Sequence, residues 1–253
     1  MISYMRPALL GGALGLLIGA AALLVIPKQF EAIGLVKLAH IDGQPIESAA
    51  VSMQRLRSLA LQDRIAAKLG LTEAEAHLFK ESLWVSPRGS EPLLDLRTRA
   101  YDRDRARALF EELVAVLSTE HLELSAGDVA RRAATLRRTQ QELEAIDAAR
   151  ADLARAAAEA QRGKVPERAE EMARTYALVL GTRDGQRIVL QQTITRLEEA
   201  LTPTRTFPTA SIDAPNVPER PVFPRTAAFL VVGATLGVVL GVAIGAMRHR
   251  PVV

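Results

Sequence analysis

The chain has 253 residues, 49% of them hydrophobic and 4% aromatic, with no cysteine and a formal net charge of +3. Without cysteine there is no disulfide framework, thiol nucleophile or thiolate metal site. The positive excess comes from Arg6, Arg248 and Arg250, which flank two apolar stretches, so the basic balance does not point to nucleic acid.

Those stretches are Pro7 to Ile26 and Ala227 to Met247, and neither contains a charge. A hydrocarbon core of about 30 Å needs roughly 20 helical residues, so transmembrane helices are expected over 7–26 and 226–247. The first exceeds the roughly 7–15 apolar residues of a signal peptide and reads as an anchor. Residues 1–6 and 248–253 then share one side of the membrane. Their basic residues favour the cytoplasm, which puts the middle of the chain on the opposite, periplasmic side. Tyr4, Phe30, Phe223 and Phe229 stand where interfacial aromatics belong. Gly11, Gly15 and Gly19 recur every four residues, as do Gly233, Gly237, Gly241 and Gly245. That spacing aligns them on one helix face, where missing side chains admit another backbone, within or between subunits.

After Pro27 the segment Phe30 to Leu38 reads as a strand. A turn at Asp42-Gly43 and Pro45 precedes a mostly helical stretch, Glu47 to Leu69, with Val51, Leu56, Leu59, Ile65 and Leu69 as candidate core. Gly70 ends it. Thr72 to Glu75 has capping-box spacing and opens a short helix to about Lys80. Leu83 to Val85 and Leu93 to Tyr101 read as strands. In the second, Leu94, Leu96, Thr98 and Ala100 share one face. Asp102 caps a helix over Arg103 to Glu120, with Ala106, Leu109, Phe110, Leu113 and Leu117 facing inward. Residues 27–124 thus form the first part of an α/β base domain.

A helical hairpin is expected over 125–201. Its first arm begins at Ser125 and Asp128 and carries a seam through Leu136, Leu143, Ile146 and Leu153. Its second arm breaks at Gly181 to Gly185 and resumes with the seam Leu190, Ile194, Leu197 and Leu201. An arm of 37 residues projects about 55 Å, and neighbouring chains are expected to cover its second face. Residues 202–214 return as a strand of the base domain, over Thr206 to Asp213. Pro215, Pro218, Pro221 and Pro224 then recur every third residue through 215–225, the period of polyproline II, and make a rigid joint to the second span. The fold class is α+β: two transmembrane helices flanking a base domain with a long antiparallel coiled-coil hairpin.

Catalytic signals are weak. His40, His77, His121 and His249 lack metal-ligand spacing, and His121, between Glu120 and Glu123, reads as a surface histidine at a helix end. No phosphate-binding loop or nucleophile motif occurs. No catalytic, cofactor or metal site is expected.

The chain resembles the bacterial polysaccharide co-polymerases, specifically the O-antigen chain-length determinant (Wzz-type) proteins. The resemblance rests on the first span running into Phe30-Glu31-Ala32 and on Ile46-Glu47-Ser48 followed by Arg55 to Ser58. It continues through Leu94-Asp95-Leu96 to Ala100 with Asp102 to His121, and ends with the hairpin and the proline-rich entry to a glycine-repeat span. Arg103 departs from the proline the family often has there. The resemblance implies an inner-membrane, non-enzymatic regulator of surface-glycan length in lipopolysaccharide biosynthesis. It further implies a homo-oligomeric ring of about eight subunits. Its partners would be a membrane glycan polymerase, a polyprenyl-linked glycan and lipid, with no cofactor. The six residues after Met247 are too few for the cytoplasmic part of kinase-linked relatives. The competing reading is a membrane-tethered coiled-coil adaptor of an export apparatus.

Overall fold

The computed structural model describes residues 5–89, 91–162 and 166–248. Two apolar helices bracket the chain, α1 (Met5–Val25) and α7 (Thr226–Arg248). The apolar part of α7, Thr226–Ile244, is 19 residues long and suffices by length and hydropathy to cross a membrane; that of α1, Leu9–Val25, is shorter. Between them lie β1 (Phe30–Lys37), β2 (His40–Ile41), β3 (Gln44–Pro45), α2 (Ala49–Leu56), α3 (Leu59–Lys68) and α4 (Glu73–Ser82). Then come β4 (Trp84–Pro87), β5 (Leu93–Ala100), α5 (Arg103–Gln161), α6 (Pro166–Ala200) and β6 (Ala210–Ser211).

The chain forms two compact units, one of residues 1–36, 50–115 and 211–253, the other of 37–49 and 116–210. The first is built on a sheet of order β4-β5-β1-β6, in which β4 and β5 pair antiparallel, Trp84 opposite Arg97. Alternation along β5 buries Leu94, Leu96, Thr98 and Ala100. Against them the unit buries Ala106, Leu109, Phe110 and Leu113 of α5, with Leu61, Ile65 and Phe79. Thr72 and Glu75 complete the expected capping box of α4, and Gly70 takes φ +60° where α3 ends.

Helix phase corrects two of the expected core residues. A break at Arg57-Ser58 separates α2 from α3, so one stripe does not run through both. Leu56, Leu61 and Ile65 are buried, whereas Val51 is 47% and Leu59 67% exposed.

In the second unit α5 has no break between Glu120 and Ser125. Leu117, His121 and Ser125 are all buried at steps of four, which carries one helix face straight through. Ser125 therefore caps nothing; its hydroxyl donates to Leu122 O within the helix. Gly127 sits on the outer side. In the same way α6 runs unbroken through Gly181 and Gly185, each costing about 1 kcal/mol relative to alanine. Cross-hairpin pairs tie the helices along this region: Arg187 to Asp147 and Arg150 to Asp184, both at 2.9 Å.

The return after α6 is shorter as a strand than Thr206 to Asp213. Proper pairing covers Ala210–Ser211, with an isolated bridge between His40 and Phe207.

Candidate functional site

The glycine faces of α1 and α7 meet within one chain. A Cβ at Gly233 would lie 2.5 Å from Gly15 O and 3.3 Å from the Cα of Gly19, and one at Gly19 would lie 2.9 Å from Phe229 O. A Cβ at Gly11 would collide with the Gly237 carbonyl and sit 2.9 Å from the Cα of Gly241. Glycine is required at these positions because the neighbouring atoms are backbone and cannot swing aside. Gly245 follows Gly241 by one more step of four within α7. Beside this contact runs an apolar groove of about 520 Å³, walled by Leu10, Leu14, Ile18, Leu236, Leu240 and Ile244.

The proline-rich segment is held along β1. Ile33 donates to Asn216 O at 3.0 Å and Asn216 returns the bond at 2.8 Å; Gln29 and Phe223/Val222 repeat the exchange at 2.8 and 2.9 Å. Proline has no N–H, so the residues between the prolines supply these bonds. Pro215 and Pro224 are buried and Pro218 and Pro221 half-buried, as a repeat of three predicts for one shared face. The proline-rich segment is thus fastened along the strand that leaves α1. Arg103, at the start of α5, adds a bond from its guanidinium to Val217 O at 3.2 Å.

Along the hairpin every seam residue, Leu136, Leu143, Ile146 and Leu153 on α5 and Leu190, Ile194, Leu197 and Leu201 from α6 onward, is half-buried. Two helices alone can cover no more. Off the seam, Met172, Leu178, Ile188 and Val189 are exposed at 45%, 75%, 54% and 60%.

His121 is not the surface residue its charged neighbours suggest, since it is fully buried. Its Nδ1 lies 2.6 Å from the Thr209 hydroxyl and its Nε2 3.2 Å from Glu47 Oε2. Thr209 Oγ1 also accepts from the Ala39 N–H at 2.9 Å. Each ring nitrogen thus has a hydrogen-bond partner. Hydroxyl, imidazole and carboxylate in line resemble a nucleophile relay. Thr209 is only 3% exposed, however, so no substrate reaches it. The relay is structural, tying β1's exit, α5 and the return strand. Sequence reasoning missed it because Glu47 and Thr209 are far from His121 in the chain; the visible signal was the step of four from Leu117. Among the described residues no cluster of His, Asp or Glu could hold a metal.

Solved structures to which this chain is similar include polysaccharide co-polymerases. One is a full-length bacterial polysaccharide co-polymerase, 12% identical, with 98% of this chain and 96% of that chain covered and a TM-score of 0.40. A fragment of WzzB, a polysaccharide co-polymerase from Salmonella Typhimurium, is 13% identical, covering 78% of this chain and 100% of that one at a TM-score of 0.29. A mutant of the lipopolysaccharide O-antigen chain-length regulator of Shigella flexneri is 10% identical, with 77% and 100% covered and a TM-score of 0.25. No protein-family model and no curated protein matches the chain.

Proposed function

We propose that this protein is a non-enzymatic regulator of surface-polysaccharide chain length, acting as an oligomeric co-polymerase beside a membrane glycan polymerase. The observation that carries the reading is the joining of two apolar helices at their glycine faces, while Gln29 and Phe223 close the α/β unit directly above them. A unit anchored at both ends, in a chain that also carries a long helical hairpin, suits a scaffold.

In this reading α1 and α7 both cross the inner membrane, the termini are cytoplasmic and the units between are periplasmic. α1 has 21 residues, about 31 Å of helix, enough to span once its first turn is counted. Neighbouring copies cover the half-buried seam and the exposed apolar residues of the hairpin, closing a ring. The ring then tunes how long the polymerase holds a growing glycan.

The test is the glycan length distribution of the host with and without this gene. Collapse of a clustered band pattern into a monotonic ladder supports chain-length control. Loss of surface polymer at unchanged modal length supports the export-adaptor reading in its place.

A further inference from the structure

In the second unit, the β2–β3 turn faces α5 across a cavity of about 410 Å³, within the size range of small-ligand sites. We propose that this cavity binds a saccharide unit of the growing polymer, an inference that rests on the function proposed above. The lining is amphipathic, as a sugar ring is. Ile41, Ile46 and Leu124 supply apolar surface, and Asp42, Gln44, Asp128 and Arg132 supply polar groups. Leu124 is 55% exposed, an apolar side chain left for a ring's C–H face to cover. Leu124, Asp128 and Arg132 follow one another at steps of four, so a single stripe of α5 faces the turn.

The walls are fixed before any ligand arrives. Asp42 and Gly43 both have positive φ, 55° and 74°, the backbone that a two-residue hairpin turn demands. Asp42 is held there from three sides. Its N–H donates to the Thr206 hydroxyl at 3.0 Å, Arg132 Nη1 donates to its Oδ2 at 3.2 Å, and Arg205 Nη2 pairs with its Oδ1 at 2.8 Å. Preorganised groups lose little freedom when a ligand binds.

The hydrogen-bonding capacity of the lining suits hydroxyl groups. Asp42 is paired with two arginines and Asp128 with Arg131, so each lining carboxylate is already neutralised within the protein. Capacity for hydrogen bonds nevertheless remains, because a guanidinium has five donors, a carboxylate about four acceptor sites and the exposed Gln44 amide has both kinds. Hydroxyl groups, which donate and accept, use such a set without requiring a counter-ion. A purely apolar ligand would leave the polar wall unsatisfied.

The test uses the full chain in lipid nanodiscs, probed by saturation-transfer NMR with oligosaccharides released by mild acid from the host's own surface polysaccharide. Transfer to ring protons is expected, with an affinity roughly fivefold weaker in the Gln44→Ala/Leu124→Ser double variant, as loss of a hydrogen bond and an apolar contact implies. Neither residue belongs to the Asp42 clamp, and an unchanged circular-dichroism melt verifies the fold. Absence of transfer, or equal affinity in the double variant, overturns the site. The gene-deletion experiment keeps the two readings apart: altered glycan length without saccharide binding removes this cavity alone, whereas binding lost in the variant with unaltered glycan length in the deletion strain upholds the cavity and removes the regulator.

Discussion

Gly34 of β1 lies under the ring of Phe110 on α5, so close that a Cβ there would come within 2.5 Å of Cζ and 2.9 Å of Cε2. Phe110 is fully buried and cannot retreat. Gly34→Ala should therefore destabilise the first unit by about 1–3 kcal/mol, the usual cost of overpacking. A thermal melt of the purified chain measures this, and Phe110→Leu should recover part of the loss in the double variant. Additive losses would mean that the two residues do not share the space.

Leucine at Gly15 or Gly233 should force α1 and α7 apart, because the atoms in the way are backbone. The same holds for Gly237 with Gly241. Loss of native oligomer mass, read by light scattering in nanodiscs, is expected together with a changed glycan distribution. A double Gly237→Leu/Gly241→Leu chain of native mass and native modal length would show that this packing is dispensable.

His121→Ala removes a fully buried ring that bridges Thr209 and Glu47. The loss should be about 2–4 kcal/mol, from the cavity and the bridging hydrogen bonds together. His121→Gln should retain part of it, since an amide can both accept and donate. Denaturant titration of the three proteins ranks them; equal stability of the alanine and parent chains would return His121 to the surface role its sequence neighbours suggest.

The capping box of α4 has a pH signature. The backbone N–H of Thr72 and then its hydroxyl donate to Glu75, holding its carboxyl below the ordinary value. A lowered folded-state pKa stabilises above the unfolded value and is lost as pH falls through the folded one. Thr72→Ala should cost about 1 kcal/mol near neutrality. The gap between variant and parent should narrow as the medium is acidified through and below the carboxylate range. A gap that widens on acidification would contradict the assignment. Thermal melts across that range decide it.

The cross-hairpin pair Asp147–Arg187 is half-exposed on both sides, so its coupling should be about 0.5 kcal/mol or less. A double-mutant cycle with Asp147→Asn and Arg187→Gln, read by melting, measures it. A much larger coupling would mean that the pair is shielded by another chain in the assembly, because desolvation strengthens it.

Elements defined by local pattern were legible from the chain alone. The alternation along Leu94 to Ala100, the box at Thr72 and Glu75, the glycine at Gly70 and the spacing of the glycines in α1 and α7 all depend on residues near one another in sequence. Continuity of the long helices was less legible. Gly127, Gly181 and Gly185 carry ordinary breaking signals, yet all three lie on exposed surfaces with nothing near them, and packing on the opposite side outweighs their cost. The burial of His121 was illegible for the opposite reason. Its environment is assembled from Glu47 and Thr209, both distant from it in the chain. The fastening of the proline segment to β1 also depends on partners almost the whole chain apart, Gln29 with Phe223 and Ile33 with Asn216.

That fastening has a mechanical meaning. The bonds of Gln29 with Phe223 and Val222 stand nearest the two apolar helices, and those between Ile33 and Asn216 come next. A load that spreads α1 from α7 would meet them one after the other, as the teeth of a zip are met, and each would yield separately under modest tension. A load that drives both helices the same way would leave every tooth engaged. Once the glycine faces of α1 and α7 have parted, these bonds therefore yield more easily to lateral separation of the two helices than to their joint displacement, a directional response that follows from where two pairs of hydrogen bonds are placed.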